Sequence, residues 1–337
     1  MNIAAYIIRR IIFMFFVLFG VLIITFIVSH VIPADPIGAI LGPQAPPELI
    51  EKINREWGFD KPLYVQFILY VKNLMHGNLG KCIRTNNPVL KDIIIRYPAT
   101  IELATTALIF SLIIGIPSGI ISALKRNKLI DHFIRIFSIS GLSMPVFWLG
   151  LMLLYVFYFR LGILPGPGRL DLGLTPPPRV TGLYTIDSLI AGRLDLFINT
   201  LRHLIMPGFV LGFGAAGSIA RLTRASMLEV MRQEYVKAAR AKGLIERVVI
   251  MRHILRNALI TPVTVIGLIY GGLLEGSVLT ETIFAWPGLG RYATGVFLFL
   301  DFQAVMGVTL FIAIIYSFAN LIVDIIYAYI DPRIRYG

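Results

Sequence analysis

Six long stretches of mainly apolar residues run along the chain, separated by segments rich in charge, proline and glycine. A helix needs about 20 such residues to cross the hydrocarbon core of a membrane. The predicted spans cover residues 11–29, 103–124, 136–159, 204–220, 258–279 and 302–329. This pattern predicts an all-α membrane protein with about six transmembrane helices.

The polar segments divide the chain into parts. Residues 1–30 contain the N-terminal end and the first span, residues 31–99 a sizeable external segment, residues 100–329 the core with the other five spans, and residues 330–337 a short tail. Short helices are predicted at 48–57 and 62–74, and a second polar loop at 160–200. Three Gly-x-x-x-Gly pairs predict close helix packing: Gly115/Gly119, Gly208/Gly212 and Gly267/Gly271.

Charge determines the predicted orientation. Arg9 and Arg10 precede the first span, whose apolar run is longer than that of a signal peptide, so an uncleaved span is expected. The segment after the fourth span, residues 221–258, is called the basic segment here. It carries nine Lys and Arg residues against three acidic residues. Since basic residues concentrate in cytoplasmic loops, both termini and the basic segment are predicted to be cytoplasmic.

Composition excludes several classes of protein. The chain is 57% hydrophobic and 15% charged, against about 45–50% and about 25% for soluble domains. Its net charge of +12 is explained by basic loops, and no nucleic-acid partner is expected. The single cysteine, Cys82, supports neither an intrachain disulfide nor a thiolate metal cluster.

The basic segment is predicted to contain two helices. Apolar residues recur at three- and four-residue steps over 223–243, where Gly243 is a plausible C-terminus, and a second helical piece covers 245–258. Small residues such as Ala238 and Ala241 would permit a close fit into a partner's groove. An amphipathic helix lying on anionic lipid is an equally good interpretation of these residues alone.

A resemblance to a known family decides between them. Residues 235–244 read YVKAARAKGL and residues 252–258 read RHILRNA. This resembles the EAA loop of importer permeases of the ATP-binding-cassette class, specifically the first-subunit type of the dipeptide, oligopeptide and nickel permease family. Lys237 replaces the usual Glu, and the later I-x-L-P is absent. Further matching runs are WGFDKPLYVQ (57–66), HGNLG (76–80), RYPATIEL (96–103), SMPVFWLG (143–150), ETIFAWPGLG (281–290) and DPRIRY (331–336).

The resemblance implies a type I importer permease fold and a set of partners. These are a second related permease in a heterodimer, two cytoplasmic ATPase subunits, an external substrate-binding protein and membrane lipid. ATP and Mg²⁺ would be bound by the ATPases, since the chain has no G-x-x-x-x-G-K-[ST] motif. No catalytic or metal site is therefore expected in this chain. Residues expected to couple to the ATPases are Glu234, Tyr235, Lys237, Ala238, Ala239, Arg240, Ala241, Lys242, Gly243 and Leu244.

Ionisable residues at membrane depth are functional candidates. Glu275 lies in the outer half of the fifth span, and we expect it to contact substrate or the partner permease. Ser143, Trp148 and Glu281 are further candidates for the pathway. Glu102, Arg202, Asp301 and Asp324 fall at predicted span ends, where headgroup-level placement is expected.

Two alternatives remain from sequence. A secondary transporter would need ion-coordinating groups near the midplane, where Glu275 is the one candidate, and an intramembrane enzyme would need a Ser/His or Asp/Asp pair. Among substrates, di- and oligopeptides are favoured, followed by oligosaccharides and nickel.

Overall fold

The computed structural model describes residues 3–31, 46, 48 and 61–330. Its regular structure is helical, apart from an isolated bridge between Lys81 and Pro88. The α-helices are α1 (Ile3–Val31), α2 (Leu63–Met75), α3 (Val89–Leu124), α4 (Leu129–Ser143), α5 (Val146–Leu153), α6 (Tyr184–Ile190), α7 (Leu194–Val230), α8 (Glu234–Ala241), α9 (Glu246–Val248), α10 (Arg256–Ala258), α11 (Ile260–Ile283), α12 (Leu289–Leu298) and α13 (Phe302–Ile330). A π-helical turn, Leu154–Arg160, extends α5, and a second, Val249–Leu255, joins α9 to α10.

Five helices in the described part of the chain are long and apolar enough to cross a membrane. They are α1, α3, α7, α11 and α13. The pair formed by α4 and α5 with its π-helical extension makes a sixth if the bent pair is one span. The prediction of an all-α membrane protein with about six spans is confirmed.

The third predicted span is not a single straight helix. The pair α4 and α5 bends by 105° at a break after Ser143. Met144 there has extended backbone angles, φ −75° and ψ 127°. Pro145 disfavours a helical conformation for the residue before it and has no N–H to continue the ladder, so the helix ends at Ser143.

Other boundaries differ from the sequence prediction. Helices α3 and α7 begin at Val89 and Leu194, well before the predicted starts, so residues 89–99 belong to a span helix. The single helix predicted over 223–243 is interrupted at 231–233. Helix α2 confirms the prediction at 62–74, whereas α6 and α12 were not predicted. The predicted helix at 48–57 and the tail lie mostly outside the described residues.

Helices α3 and α7 run parallel and form the centre of the bundle. A Cβ added to Gly119 would lie 2.6 Å from the Ala220 carbonyl oxygen, and one added to Gly115 would lie 2.8 Å from that of Ala216. The first two Gly-x-x-x-Gly predictions therefore correspond to close packing between these helices. Gly271 makes only ordinary contacts, with Tyr316 at 3.8 Å from a built Cβ.

The bundle has two ends, called here the basic end, which carries residues 221–258, and the opposite end. At the basic end, a buried apolar cluster joins the basic segment to the ends of α3 and α7. At the opposite end, a second cluster joins the loop at Cys82 and the start of α3 to α12 and α13. The chain thus has a packed cap at each end of its spans.

Candidate coupling surface and translocation pathway

The basic segment folds back against the bundle. Helix α7 ends at Val230, a short turn follows, and Gln233 adopts extended angles before α8 begins. Helix α8 ends at Ala241, and Gly243 takes φ +77°. Its N–H donates to the Arg240 carbonyl at 2.9 Å. This left-handed glycine is the usual way for a helix to end, and it reverses the chain towards α9.

One face of α8 is buried. Val236 is fully buried and Ala239 nearly so. They belong to a cluster with Met227 of α7, Ala123 of α3, and Val249, Ile254 and Ala258 of the following helical stretch. The small side chain of Ala239 therefore permits close packing within the chain. A displacement of α8 would be transmitted directly to the ends of two spans.

Two polar contacts hold α8 to the stretch that follows it. The guanidinium of Arg240 donates to both carboxylate oxygens of Glu246, at 2.7 Å and 3.1 Å. This hydrogen bonding lowers the pKa of Glu246. Asn257 donates to the Tyr235 hydroxyl at 3.1 Å. Exposed pairs add little stability, but together they fix the angle between α8 and the stretch that leads into α11.

The opposite face of α8 is exposed. Of the ten residues predicted to couple, nine are exposed and Ala239 is buried, so Ala239 contributes packing within the chain. Exposed apolar side chains continue the surface beyond Gly243: Leu244, Ile245, Val248 and Met251. We call this patch the apolar tip. Contiguous apolar surface with a charged surround is typical of a docking site.

A buried ion pair connects the basic end to α4. Asp131 is fully buried and accepts hydrogen bonds from the Arg224 guanidinium at 2.8 Å and 2.9 Å. The Ser122 hydroxyl and the Asn127 N–H also donate to it. Asp131 thus joins α3, α4 and α7 at one point. This contact has no local sequence signal, because Arg224 is 93 residues away from Asp131 along the chain.

Glu275 lies on the exposed face of α11. It also borders a small cavity that includes Tyr97, Thr100, Ser277 and Tyr316. The structure therefore places the carboxylate at an accessible surface of a span.

Ser143 and Trp148 flank the break between α4 and α5. Both are exposed, Trp148 to 45%. Non-helical backbone at membrane depth is tolerated only where protein buries it or where it lines a water-filled cavity. Both side chains are thus available at the surface of this chain, and their place at the pathway stays a prediction.

Glu281 differs from the other pathway candidates, because it is fully buried. It accepts hydrogen bonds from the Thr100 hydroxyl at 2.7 Å, the Ser277 hydroxyl at 3.0 Å and the Arg291 N–H at 3.0 Å. The last of these lies in the first turn of α12, whose free N–H groups favour an anion. These contacts favour a structural role for Glu281, as a cap that joins α11 to α12 and α3.

A buried ion pair at the opposite end was missed by the sequence prediction. Glu102 was expected at headgroup level, but it is buried and pairs with Arg169. The N–H and hydroxyl of Thr185 each donate to Glu102 at 2.8 Å. The Arg169 guanidinium lies 3.6 Å from the centre of the Tyr184 ring. This cluster fastens the loop between α5 and α7 to α3.

Asp301 is also buried, and its carboxylate accepts hydrogen bonds from the N–H of Ile83 and from the N–H of Ala304 in the first turn of α13.

Comparison with known families shows which family the sequence belongs to. Residues 115–336 match the family model described as "Binding-protein-dependent transport system inner membrane component", and residues 3–104 match the corresponding N-terminal model. The chain belongs to this family. It is thus a multi-pass transport component.

Several curated relatives of this transport component are similar over almost their whole length. The probable D,D-dipeptide transport system permease protein of Escherichia coli is 49% identical, covering 94% of each chain. The dipeptide transport system permease protein of Alkalihalophilus pseudofirmus is 45% identical, covering 98% of this chain and 99% of the relative. The di/tripeptide transport system permease protein of Pseudomonas aeruginosa is 43% identical.

A solved structure supports the fold of the transport component. A chain of the MetNI methionine ABC transporter superimposes with a TM-score of 0.52 at 17% identity, covering 71% of this chain and 96% of that chain. At this identity the likeness shows the fold alone. The type I importer permease fold expected from the sequence is confirmed.

Proposed function

We propose that this chain is the transmembrane permease subunit of an ATP-driven importer of di- and oligopeptides. The observation that carries the proposal is full-length similarity, at 40–49% identity, to permease proteins named for dipeptide transport. The exposed surface of α8 and the apolar tip agree with this proposal, because an importer permease needs a surface on which its ATPase subunits can dock.

The proposed assembly contains five subunits. A second related permease completes the pathway, two cytoplasmic ATPase subunits bind ATP and Mg²⁺, and an external binding protein delivers the peptide. The termini and the basic segment face the cytoplasm in this assembly, and anionic lipid headgroups surround the basic end. No feature of the described residues favours oligosaccharide or nickel as the substrate.

The mechanism follows from the packing of α8. ATP binding would draw the ATPases together and move the docked surface of α8. Because Val236 and Ala239 are packed against the ends of α3 and α7, that movement biases the bundle between two arrangements. The contacts of Arg240 with Glu246 and of Tyr235 with Asn257 keep α8 and the start of α11 moving as one body.

Reconstitution tests the proposal. The chain is co-expressed with the second permease and the ATPases, placed in proteoliposomes, and supplied with the binding protein loaded with radiolabelled Ala-Ala. We expect accumulation that requires ATP and the binding protein. Uptake without ATP, or failure to co-purify with an ATPase, would contradict the proposal. Labelled maltotriose and Ni²⁺ are the matched substrates for the two alternatives.

Replacing Gly243 with valine is expected to uncouple the importer. A β-branched residue at φ +77° costs about 1–2 kcal/mol or more, so the chain should leave this conformation and re-aim the apolar tip. A Cβ there meets no atom within 4 Å, so the bundle itself should still fold. We expect normal membrane insertion and about tenfold lower ATP-driven uptake of Ala-Ala.

Gly192 offers a matched control for this variant. It has φ +65°, and an added Cβ also meets no atom within 4 Å, but it lies at the opposite end of the bundle. Gly192→Val carries the same kind of backbone strain and should leave ATP-driven uptake of Ala-Ala unchanged. Equal losses of uptake in the two variants would show that backbone strain in general, and not a change in the coupling surface, causes the defect.

A further inference from the structure

Glu275 lies well inside the apolar part of α11. It is eight residues before the end of that helix at Ile283 and fifteen residues after its start at Ile260. At 1.5 Å per residue, these intervals are about 12 Å and about 22 Å. Since the hydrocarbon core is about 30 Å thick, the carboxylate is at membrane depth.

The carboxylate is exposed, and no described side chain forms an ion pair or hydrogen bond with it. Gly272 lies about one turn before Glu275 and Gly276 directly follows it, and a Cβ added to either glycine would meet no atom within 4 Å. The face around Glu275 is therefore open. It offers room for a ligand directly beside a negative charge.

This face does not suit lipid. A carboxylate exposed to hydrocarbon is costly, by at least about 2.5–3.5 kcal/mol at the bilayer centre, so such groups face a water-filled cavity or a cationic partner. The small cavity beside Glu275 has a mainly apolar lining that also contains four hydroxyl side chains, those of Tyr97, Thr100, Ser277 and Tyr316. In many transporters the substrate site lies near the bilayer midplane.

We propose that Glu275 receives the α-ammonium group of the peptide as it crosses the pathway. The inference rests on the proposed function, since di- and tripeptides with free N-termini carry this cation at neutral pH. A carboxylate and an ammonium form a charge-assisted hydrogen bond, about twice as strong as a neutral one. The open glycine face allows the peptide backbone to approach the carboxylate.

The test uses the complete importer in proteoliposomes, with its binding protein preloaded with labelled Ala-Ala. Two quantities are measured: ATP hydrolysis stimulated by the loaded binding protein, and Ala-Ala imported per ATP hydrolysed. For Glu275→Gln we expect unchanged stimulated hydrolysis and about tenfold less Ala-Ala per ATP. A tenfold fall corresponds to about 1.4 kcal/mol. Glu275→Asp, which keeps the charge, should recover most of the loss.

Asp195→Asn is the matched control, because it neutralises another exposed carboxylate at the opposite end of the bundle. It should leave both quantities unchanged. Unaltered import per ATP in Glu275→Gln would overturn the inference about Glu275. So would loss of the second permease on gel filtration with a parallel fall in hydrolysis, which would assign Glu275 to a subunit contact. Wild-type complex that hydrolyses ATP without importing Ala-Ala would instead refute the proposed function, and this inference with it.

Discussion

Arg169→Met is expected to destabilise the folded chain by about 3–5 kcal/mol, because it leaves the buried carboxylate of Glu102 without its cation. The side chains of Arg169 and Glu102 are 7% and 3% exposed, so water cannot replace the missing partner. Methionine preserves much of the apolar stem, which separates loss of charge from loss of packing.

The chain supplies its own probe for this measurement. Cys82 is the single cysteine and is fully buried, so a fluorogenic maleimide reports unfolding when the purified chain is heated in detergent. We expect the midpoint of labelling to fall by several degrees in Arg169→Met. The variant should also lose the ordered loop at 180–187, detected as faster proteolysis there.

Two further variants make the result specific. Adding Glu102→Gln to Arg169→Met removes the stranded charge and should restore part of the midpoint. Arg193→Met breaks an ion pair with Asp195 in which both side chains are about half exposed, and no change in midpoint is expected. A double variant less stable than Arg169→Met would show that the buried charge is not the cause.

Gly119→Leu is expected to separate α3 from α7 and prevent normal folding of the bundle. Its Cβ would lie 2.6 Å from both the Ala220 carbonyl oxygen and the Thr223 Cβ. Because the obstacle includes backbone, no side-chain rotation can relieve it, and the cost lies at or above the upper end of the usual overpacking range of about 1–3 kcal/mol. We expect little monodisperse protein on size-exclusion chromatography and early labelling of Cys82 in what remains.

Gly20→Leu is the control for added bulk in a span. Gly20 lies in α1, and a Cβ there meets no atom within 4 Å. This variant should elute and label as the wild type does. If Gly119→Leu behaves in the same way, the contact between α3 and α7 is looser than the structure indicates.

Several features could be predicted from the sequence because they depend on local chemistry. Long apolar stretches identify spans because lipid imposes one length and one kind of surface on them. Gly243 was predicted to end a helix because a left-handed residue there needs no Cβ, and it has φ +77°. Close packing at the glycine pairs of α3 and α7 could be predicted for a similar reason, since small residues at four-residue spacing allow helix backbones to approach each other.

The ends of the spans were harder to predict, because a charged residue does not mark the end of a span when its charge is paired inside the protein. Glu102 and Arg202 marked predicted ends, yet α3 starts 13 residues before Glu102 and α7 starts 8 residues before Arg202. The pairing of Glu102 with Arg169 spans 67 positions and has no local signal. Hydropathy therefore placed the start of α3 at Glu102, whose charge is paired with Arg169 inside the protein, and the start of α7 near Arg202, an exposed charge within the helix.

The sequence by itself determined the class of membrane protein, the number of spans to within the bent pair, and the position of the basic segment with its helix end at Gly243. Each depends on interactions within a few turns of helix or on solvation of a single segment. Tertiary structure alone decided that Ala239 and Glu281 are buried, that Asp131 joins three helices, and that Glu275 remains open beside two glycines. These depend on which faces meet, and that follows from packing between segments far apart along the chain.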